Sequence, residues 1–403
     1  MKKFFFLNLL IILFFTACKK EISIKIVNPL NKKIIDQIVV IKSSDFDGIN
    51  IEKLSAYDNN KEIPSQVING ACGKEKTFGF LVSLEPKQSK IIYLKENQNK
   101  KEFNRRVHAE ISEKVGYKLI NGVYTGGKFV SVKKTKTPFG HKDHNLYYKC
   151  EGPCWESEKI AYRFYLDQRN ATDIFGKKTK EIVLPNVGHT YNKSGNEMYH
   201  EMADWGMDIF KVGNSLGIGS FAAYVNNNIE MVSETDSVIC TIENDGPIYA
   251  SVNTKYYGWQ IGNNKINLES NLSIIAGSRL TKSENKVTSN GELFCTGLVK
   301  HSGTELIKSD SNGEWNYIAT WGKQTTINNN LGIAVIFNKN SAGKLTEDKL
   351  NYIIPLKPKN GIIQYYFAAC WEQEPDGIKT KKEFINYLND EIKKLNYPVT
   401  ISK

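Results

Sequence analysis

The chain has 403 residues, 40% of them hydrophobic and 24% charged, with 54 Lys+Arg against 43 Asp+Glu and a formal charge of +11. That length and balance suit one large or two ordinary folded domains; they exclude a disulfide-stapled miniprotein, a wholly disordered chain and a multi-span membrane protein. A content of 20 Tyr, 19 Phe and 6 Trp beside only 5 Met favours sheets and supplies flat faces for stacking on sugars.

Residues 1–17 read as a lipoprotein signal peptide. Met1-Lys2-Lys3 is followed by an apolar run from Phe4 to Phe15 and by Thr16-Ala17-Cys18, which predicts cleavage before Cys18 and lipidation of its thiol. The run is too short to span a bilayer comfortably. Loss of Lys2 and Lys3 leaves 52 cations against 43 acids, a formal charge of +9. The expected location is the outer membrane, anchored by lipid and facing the periplasm or the cell surface. Of the cysteines that remain, Cys150 and Cys154 in Cys-Glu-Gly-Pro-Cys are close enough to close a small loop.

Residues 18–98 read as an N-terminal β-sandwich module, with strands at Ile22–Val27, Ile38–Ile41, Phe78–Leu84 and Ile91–Leu94. The polar stretch Glu96–Arg106 marks a boundary, and 99–403 is the expected catalytic domain. Its Ile160–Leu166 segment alternates, with Tyr162 and Phe164 on one face and Ala161, Arg163 and Tyr165 on the other. Further strands are predicted at Ile248–Tyr256, Leu272–Ile275, Ile333–Phe337 and Ile362–Ala368. Helices are few. Thr380 and Glu383 form a capping-box pattern ahead of Phe384, Leu388 and Ile392 at helical spacing, predicting one C-terminal helix. The fold class is therefore mainly β: a small sandwich followed by a large antiparallel one.

Nucleotide-binding loops, Gly-x-Ser-x-Gly elbows and His-Glu-x-x-His helices are lacking, so chemistry should rest on side chains or a single metal. Residues with catalytic potential crowd into 141–219. His141-Lys-Asp-His144 offers metal ligands or a proton relay, with a solvated loop as the competing reading. Trp155-Glu156 leads into the Tyr162-Arg163 strand, where Arg163 is a natural clamp for a carboxylate or sulfate or, on the plainer reading, a surface ion pair. Tyr199-His200 through Gly219 packs histidine, tyrosine, Asp204, Asp208, Trp205 and Lys211 into one segment.

The motifs at 155–163 and 199–219 resemble a family of bacterial lipoproteins known as a domain of unknown function and encoded among polysaccharide-utilisation genes. Asn28-Pro29-Leu30 and Ile63–Val67 fit that family's first module, so the resemblance spans nearly the whole mature chain. Within it the chain is most similar to the oligosaccharide dehydratases of ulvan degradation. The resemblance implies removal of water from a non-reducing-end glucuronic or iduronic acid of a sulfated oligosaccharide, giving a 4,5-unsaturated uronyl end. The fold class in turn suggests a galactose-mutarotase-like supersandwich.

Dehydration across C4–C5 needs a base for the proton α to the carboxylate, an acid for the leaving hydroxyl and a cation for the enediolate. His200 is the expected base, with Tyr199, Tyr162 or Glu156 as acid, Arg163 and Lys211 on the carboxylate, and Asp208 orienting His200 or Lys211. Trp155 and Trp205 are expected to stack on sugar rings, with Tyr162 and His144 also on the substrate side. This chemistry requires no cofactor, although His141, His144 and His189 leave room for a divalent metal. The expected partners are an acidic sulfated oligosaccharide and a membrane, through Cys18. Nucleic acid is a poor partner, because the cations are scattered and the chain is exported. Competing readings are a non-catalytic glycan-binding lipoprotein and an endo-acting polysaccharide lyase.

Overall fold

A computed structural model describes residues 21–46, 49–189, 198–288, 291–309 and 311–403. The signal segment and Cys18 lie outside the described residues. Among the described residues, no helix is long and apolar enough to cross a membrane.

The first module is two small sheets face to face. One contains Glu21–Val27, Ser89–Glu96, Leu54–Asp58 and Lys61–Ile63; the other contains Ile34–Lys42, Thr77–Leu84 and Ser65–Ile68. Alternation along these strands sends Ile24, Ile26, Val39, Ile41, Phe78, Phe80, Ile92 and Leu94 inward to a common core. The last strand of the chain, Thr400–Ser402, returns to pair with Lys25–Val27. Arg106 ties this module to the larger sandwich: its guanidinium forks onto Asp36 at 3.0 and 2.6 Å, and its Nε reaches Glu158 at 2.7 Å.

The remainder is a large antiparallel sandwich. One layer has nine strands, in the order 134–136, 237–245, 249–261, 264–275, 280–287, 362–371, 330–338, 315–323, 304–308. The facing layer is two five-stranded sheets, bridged through Gly217 to Thr172 and Ile218 to Leu298. Side chains from all three sheets meet in one core that includes Trp155, Tyr162, Ile174, Trp259, Phe294, Tyr365 and Trp371. The mainly β reading with few helices is met.

The predicted helix runs Lys381–Asn396. Thr380 Oγ1 accepts from the Glu383 amide, and Glu383 accepts back from the Thr380 amide at 3.0 Å, satisfying two donors that a helix start leaves bare. Phe384, Leu388 and Ile392 bury one stripe against the strand Trp315–Lys323 and its neighbour. Gly332 lies directly beneath the Phe384 ring, where any Cβ would come within 2.8 Å of it.

Candidate active site

The candidate site is built on the five-stranded sheet ordered Gly206–Asp208, Thr172–Lys177, Ala161–Phe164, Cys154–Ser157, Val107–Glu110. Cross-strand register opposes Asp173 with Arg163, Arg163 with Cys154, and Cys154 with Glu110; two residues along, it opposes Asp208 with Phe175, Phe175 with Ala161, Ala161 with Glu156, and Glu156 with His108. Because side chains alternate along every strand, one face carries Asp208, Asp173, Lys177, Arg163, Glu156, Glu110 and His108. The other face carries Met207, Ile174, Tyr162, Trp155 and Val107, which enter the main core. The sheet is thus apolar toward the nine-stranded layer and charged on its outer side.

Arg163 is the centre of the charged face and only 3% exposed. Its Nε and Nη2 fork onto Asp173 at 3.0 and 2.7 Å, and Nη2 also reaches Asp208 at 2.6 Å. Nη1 donates to Tyr199 Oη at 3.0 Å and to Glu151 at 3.2 Å, while Nη2 donates to Tyr165 Oη at 3.1 Å. The rings of Tyr165, Phe175 and Tyr199 surround the guanidinium at 5.0 to 5.2 Å. Burial and the neighbouring Asp208 push the Asp173 carboxyl up to about 6. Burial alone would raise Glu151 as well, but Arg163 and Arg169 outweigh it and hold that carboxyl at about 2.

The rim of the cluster is where solvent reaches it. His200 is 44% exposed, with Nδ1 at 3.1 Å from Asp208 Oδ2, and its ring packs 4.5 Å from that of Tyr199. Gly206 begins the short strand that carries Asp208; its φ is +130°, and a Cβ there would meet the Gly176 carbonyl at 1.8 Å. On the other side Arg169 lies over the Tyr165 ring at 3.7 Å and joins Asp167, Glu151 and Asp143. His144 Nδ1 sits 2.5 Å from Asp143 and 3.9 Å from Glu151.

Arg163, Tyr199, His200 and Asp208 are therefore brought together as expected, and His144 joins them through Glu151. Five other expectations are corrected. Trp155 cannot stack on sugar: it is fully buried, donates its indole N–H to Thr281 at 2.8 Å and stacks on Tyr162. Tyr162 is fully buried too, donating to the Arg279 carbonyl at 2.7 Å and accepting from the Ala369 amide at 2.9 Å, so it is neither an acid nor a substrate contact. Glu156 is sealed beneath the surface by Lys177 at 2.5 Å and the amides of Val183 and Leu184. Arg163 has no open donor edge for a substrate carboxylate; it holds the site's own carboxylates in place. Trp205 is half-buried and edge-on to Phe175 at 6.0 Å. Lys211 is exposed, three residues beyond Asp208, and its carbonyl accepts from His301 at 2.8 Å. Cys150 and Cys154 are buried free thiols, not a disulfide.

Residues 26–401 match the family model described as "Domain of unknown function (DUF4861)". The chain belongs to that family. It is 26% identical over 270 residues to "Uncharacterized protein P7" of Formosa agariphila, a match covering 62% of this chain and 66% of the relative, just under two thirds of that protein's length. Among solved structures, it resembles a glycosyl hydrolase family 38 protein from Enterococcus faecalis at 10% identity and a TM-score of 0.45, over 94% of this chain and 47% of the other. An alpha-mannosidase from Enterococcus faecalis V583 gives 10% identity and a TM-score of 0.46, over 95% and 46%.

In this DUF4861 member the residues not foreseen are mostly partners of the foreseen ones. Asp173, Glu151 and Arg169 complete the Arg163 cluster, together with Tyr165, which the alternation already placed on the face of Arg163. Alternation from Arg163 points to Tyr165, whereas Glu151 comes from a turn in which the sequence signals only the cysteines. Lys149 is a further buried cation, paired with Glu110 and donating to the Leu184 carbonyl at 2.9 Å. Of the candidate metal ligands, His189 stands apart, beside Lys149 and the Pro185 carbonyl, and His141 packs edge-on to Tyr148 at 5.1 Å. Asp143, His144 and Glu151 do bring one ligand atom each within 4.8 Å of one another. Arg169 Nη2 lies 2.8 Å from both of those carboxylates, so a guanidinium already occupies the position a cation would fill.

Proposed function

We propose that this protein is an oligosaccharide dehydratase. It eliminates water from a non-reducing-end glucuronic or iduronic acid of sulfated, ulvan-type oligosaccharides and leaves a 4,5-unsaturated uronyl end. The observation that carries this reading is the His200–Asp208 dyad at the rim of the Arg163 cluster, a solvent-reaching imidazole fixed by a buried carboxylate. Abstraction of a proton α to a carboxylate needs a positioned base of this kind, a contribution of about 10²–10⁴ in rate. Asp208 on Nδ1 sets Nε2 as the basic nitrogen of the neutral ring, and Arg163 fixes Asp208 in turn. Exposed Lys211 is assigned to the uronate carboxylate, whose charge must be offset as the enediolate develops. Membership of the DUF4861 family supports the resemblance on which the substrate class rests. A lipid anchor at Cys18 would hold this chemistry at the outer membrane.

Mass spectrometry of one uronate-ended tetrasaccharide incubated with the protein tests the proposal. The expected product has lost the mass of one water at unchanged chain length, with rising ultraviolet absorbance. Shortened chains would point instead to a polysaccharide lyase, and heat of binding without any mass change to a glycan-binding protein. His200→Ala is expected to lower turnover by about 10²–10⁴-fold. Full activity of that variant excludes His200 as the base.

A further inference from the structure

Two histidines stand at the rim of the Arg163 cluster. His200 reaches Asp208, and Asp208 bonds Arg163 at 2.6 Å. His144 reaches Asp143 at 2.5 Å and Glu151 at 3.9 Å, and Glu151 bonds the same Arg163 at 3.2 Å. One guanidinium thus has a carboxylate between it and each ring, within hydrogen-bond distance of His200 and 3.9 Å from His144. His144 is the more open of the two, at 69% exposed.

The backbone that delivers His144 adds an independent sign. His144, Leu146, Cys150 and Glu151 all take left-handed conformations, with φ of +57°, +61°, +55° and +65°. Such residues are uncommon outside glycine and cost free energy, so four of them in eight positions persist only because the surroundings hold them. Those surroundings are the buried Lys149 and the Arg163–Glu151 and Arg169–Glu151 pairs. The strained segment places His144 and Glu151 together at the cluster.

Resting on the dehydratase reading, we propose that His144 is the acid of the reaction. None of the acids expected from sequence has this access: Glu156 and Tyr162 are sealed in the core, and Tyr199 is 3% exposed with its hydroxyl held by Arg163. In the step assigned here, His200 Nε2 takes the C5 proton, and the C5–H electron pair becomes the C4–C5 double bond. The C4–O bond breaks, its electron pair stays on oxygen, and the Nε2 proton of His144 completes a water molecule. His200 finishes as imidazolium and His144 as neutral imidazole. Both are exposed, so exchange with solvent restores them. Asp143, held on Nδ1, fixes Nε2 as the nitrogen that delivers the proton.

The test compares two uronate-ended tetrasaccharides, one with the natural C4 hydroxyl and one with fluorine at C4, which departs without protonation. His144→Ala and His144→Gln are expected to lose about 10²–10⁴-fold in kcat on the hydroxyl substrate and less than about tenfold on the fluoro substrate. His200→Ala is expected to lose both. Thermal unfolding of both His144 variants should match the unchanged chain, because the side chain fills no core. Equal losses on the two substrates, or no loss on the hydroxyl substrate, would overturn the role for His144. Failure of the unchanged chain to eliminate from either substrate overturns the dehydratase reading itself, and this role with it.

Discussion

Arg163 shows why a buried charge is informative. Taking a guanidinium and three carboxylates out of water costs more than their attraction readily returns, so such a cluster is weak evidence for stability and better evidence for a constrained geometry. The same face carries a second buried group, His108, held between Asp245 at 2.8 Å and Glu110 at 3.2 Å, with Glu110 also clasping Lys149. Burial opposes the charged ring, yet the hydrogen bonds to Asp245 and Glu110 prevail and raise its pKa from 6.5 to about 9. A pKa raised on folding contributes stability that is fully present below about 6.5 and is lost as pH rises through about 9. Chemical denaturation of the unchanged chain and of His108→Gln across pH 6 to 10 should therefore converge as pH rises. The difference that disappears is on the order of 3 kcal/mol. A gap that stays constant over this range would mean His108 is not charged in the folded protein.

At the scale of elements, the same alternation explains both what is legible in the sequence and what is not. The pattern Ile160–Leu166 separates Arg163 from Tyr162 correctly, and register with the neighbouring strands then groups Arg163 with Asp173 and Asp208. Periodicity does not say which face meets another layer. Trp155 and Tyr162 therefore read as sugar-facing, although their face meets the nine-stranded sheet. Glu151 is hidden for another reason, since a left-handed turn leaves no periodic trace in the residues that form it. The terminal helix is legible throughout, because its cap and its stripe are both local signals. Thr380→Ala should lower stability by about 1 kcal/mol and Phe384→Ala by about 3–5 kcal/mol, measured by urea unfolding. Turnover per folded molecule should be unchanged in both, as the helix packs on the nine-stranded sheet, while the charged face belongs to the facing layer. A loss of kcat in folded Thr380→Ala would mean that the two layers are coupled.

For the whole molecule, the charge of +11 is visible from composition, but not where it acts. The cations at the charged face are already matched: Arg163 by Asp173, Asp208 and Glu151, Arg169 by Asp167, Asp143 and Glu151, Lys149 by Glu110, and Lys177 by Glu156. On the dehydratase proposal, which assigns exposed Lys211 alone to the uronate, the rest of the excess would act from the wider surface, as a field that draws an anionic oligosaccharide in rather than as a set of clamps. Such a field is screened, because the Debye length falls from about 30 Å at 0.01 M salt to about 8 Å at 0.15 M. Buried pairs are screened far less. Raising salt across this range should lower kcat/KM on a sulfated, uronate-ended oligosaccharide several-fold, mainly through KM. Turnover at saturation and the unfolding midpoint should change little over the same range. If kcat fell in step with kcat/KM, the salt-sensitive contacts would belong to the reacting groups themselves, and the positive charge would have to be assigned to the site after all.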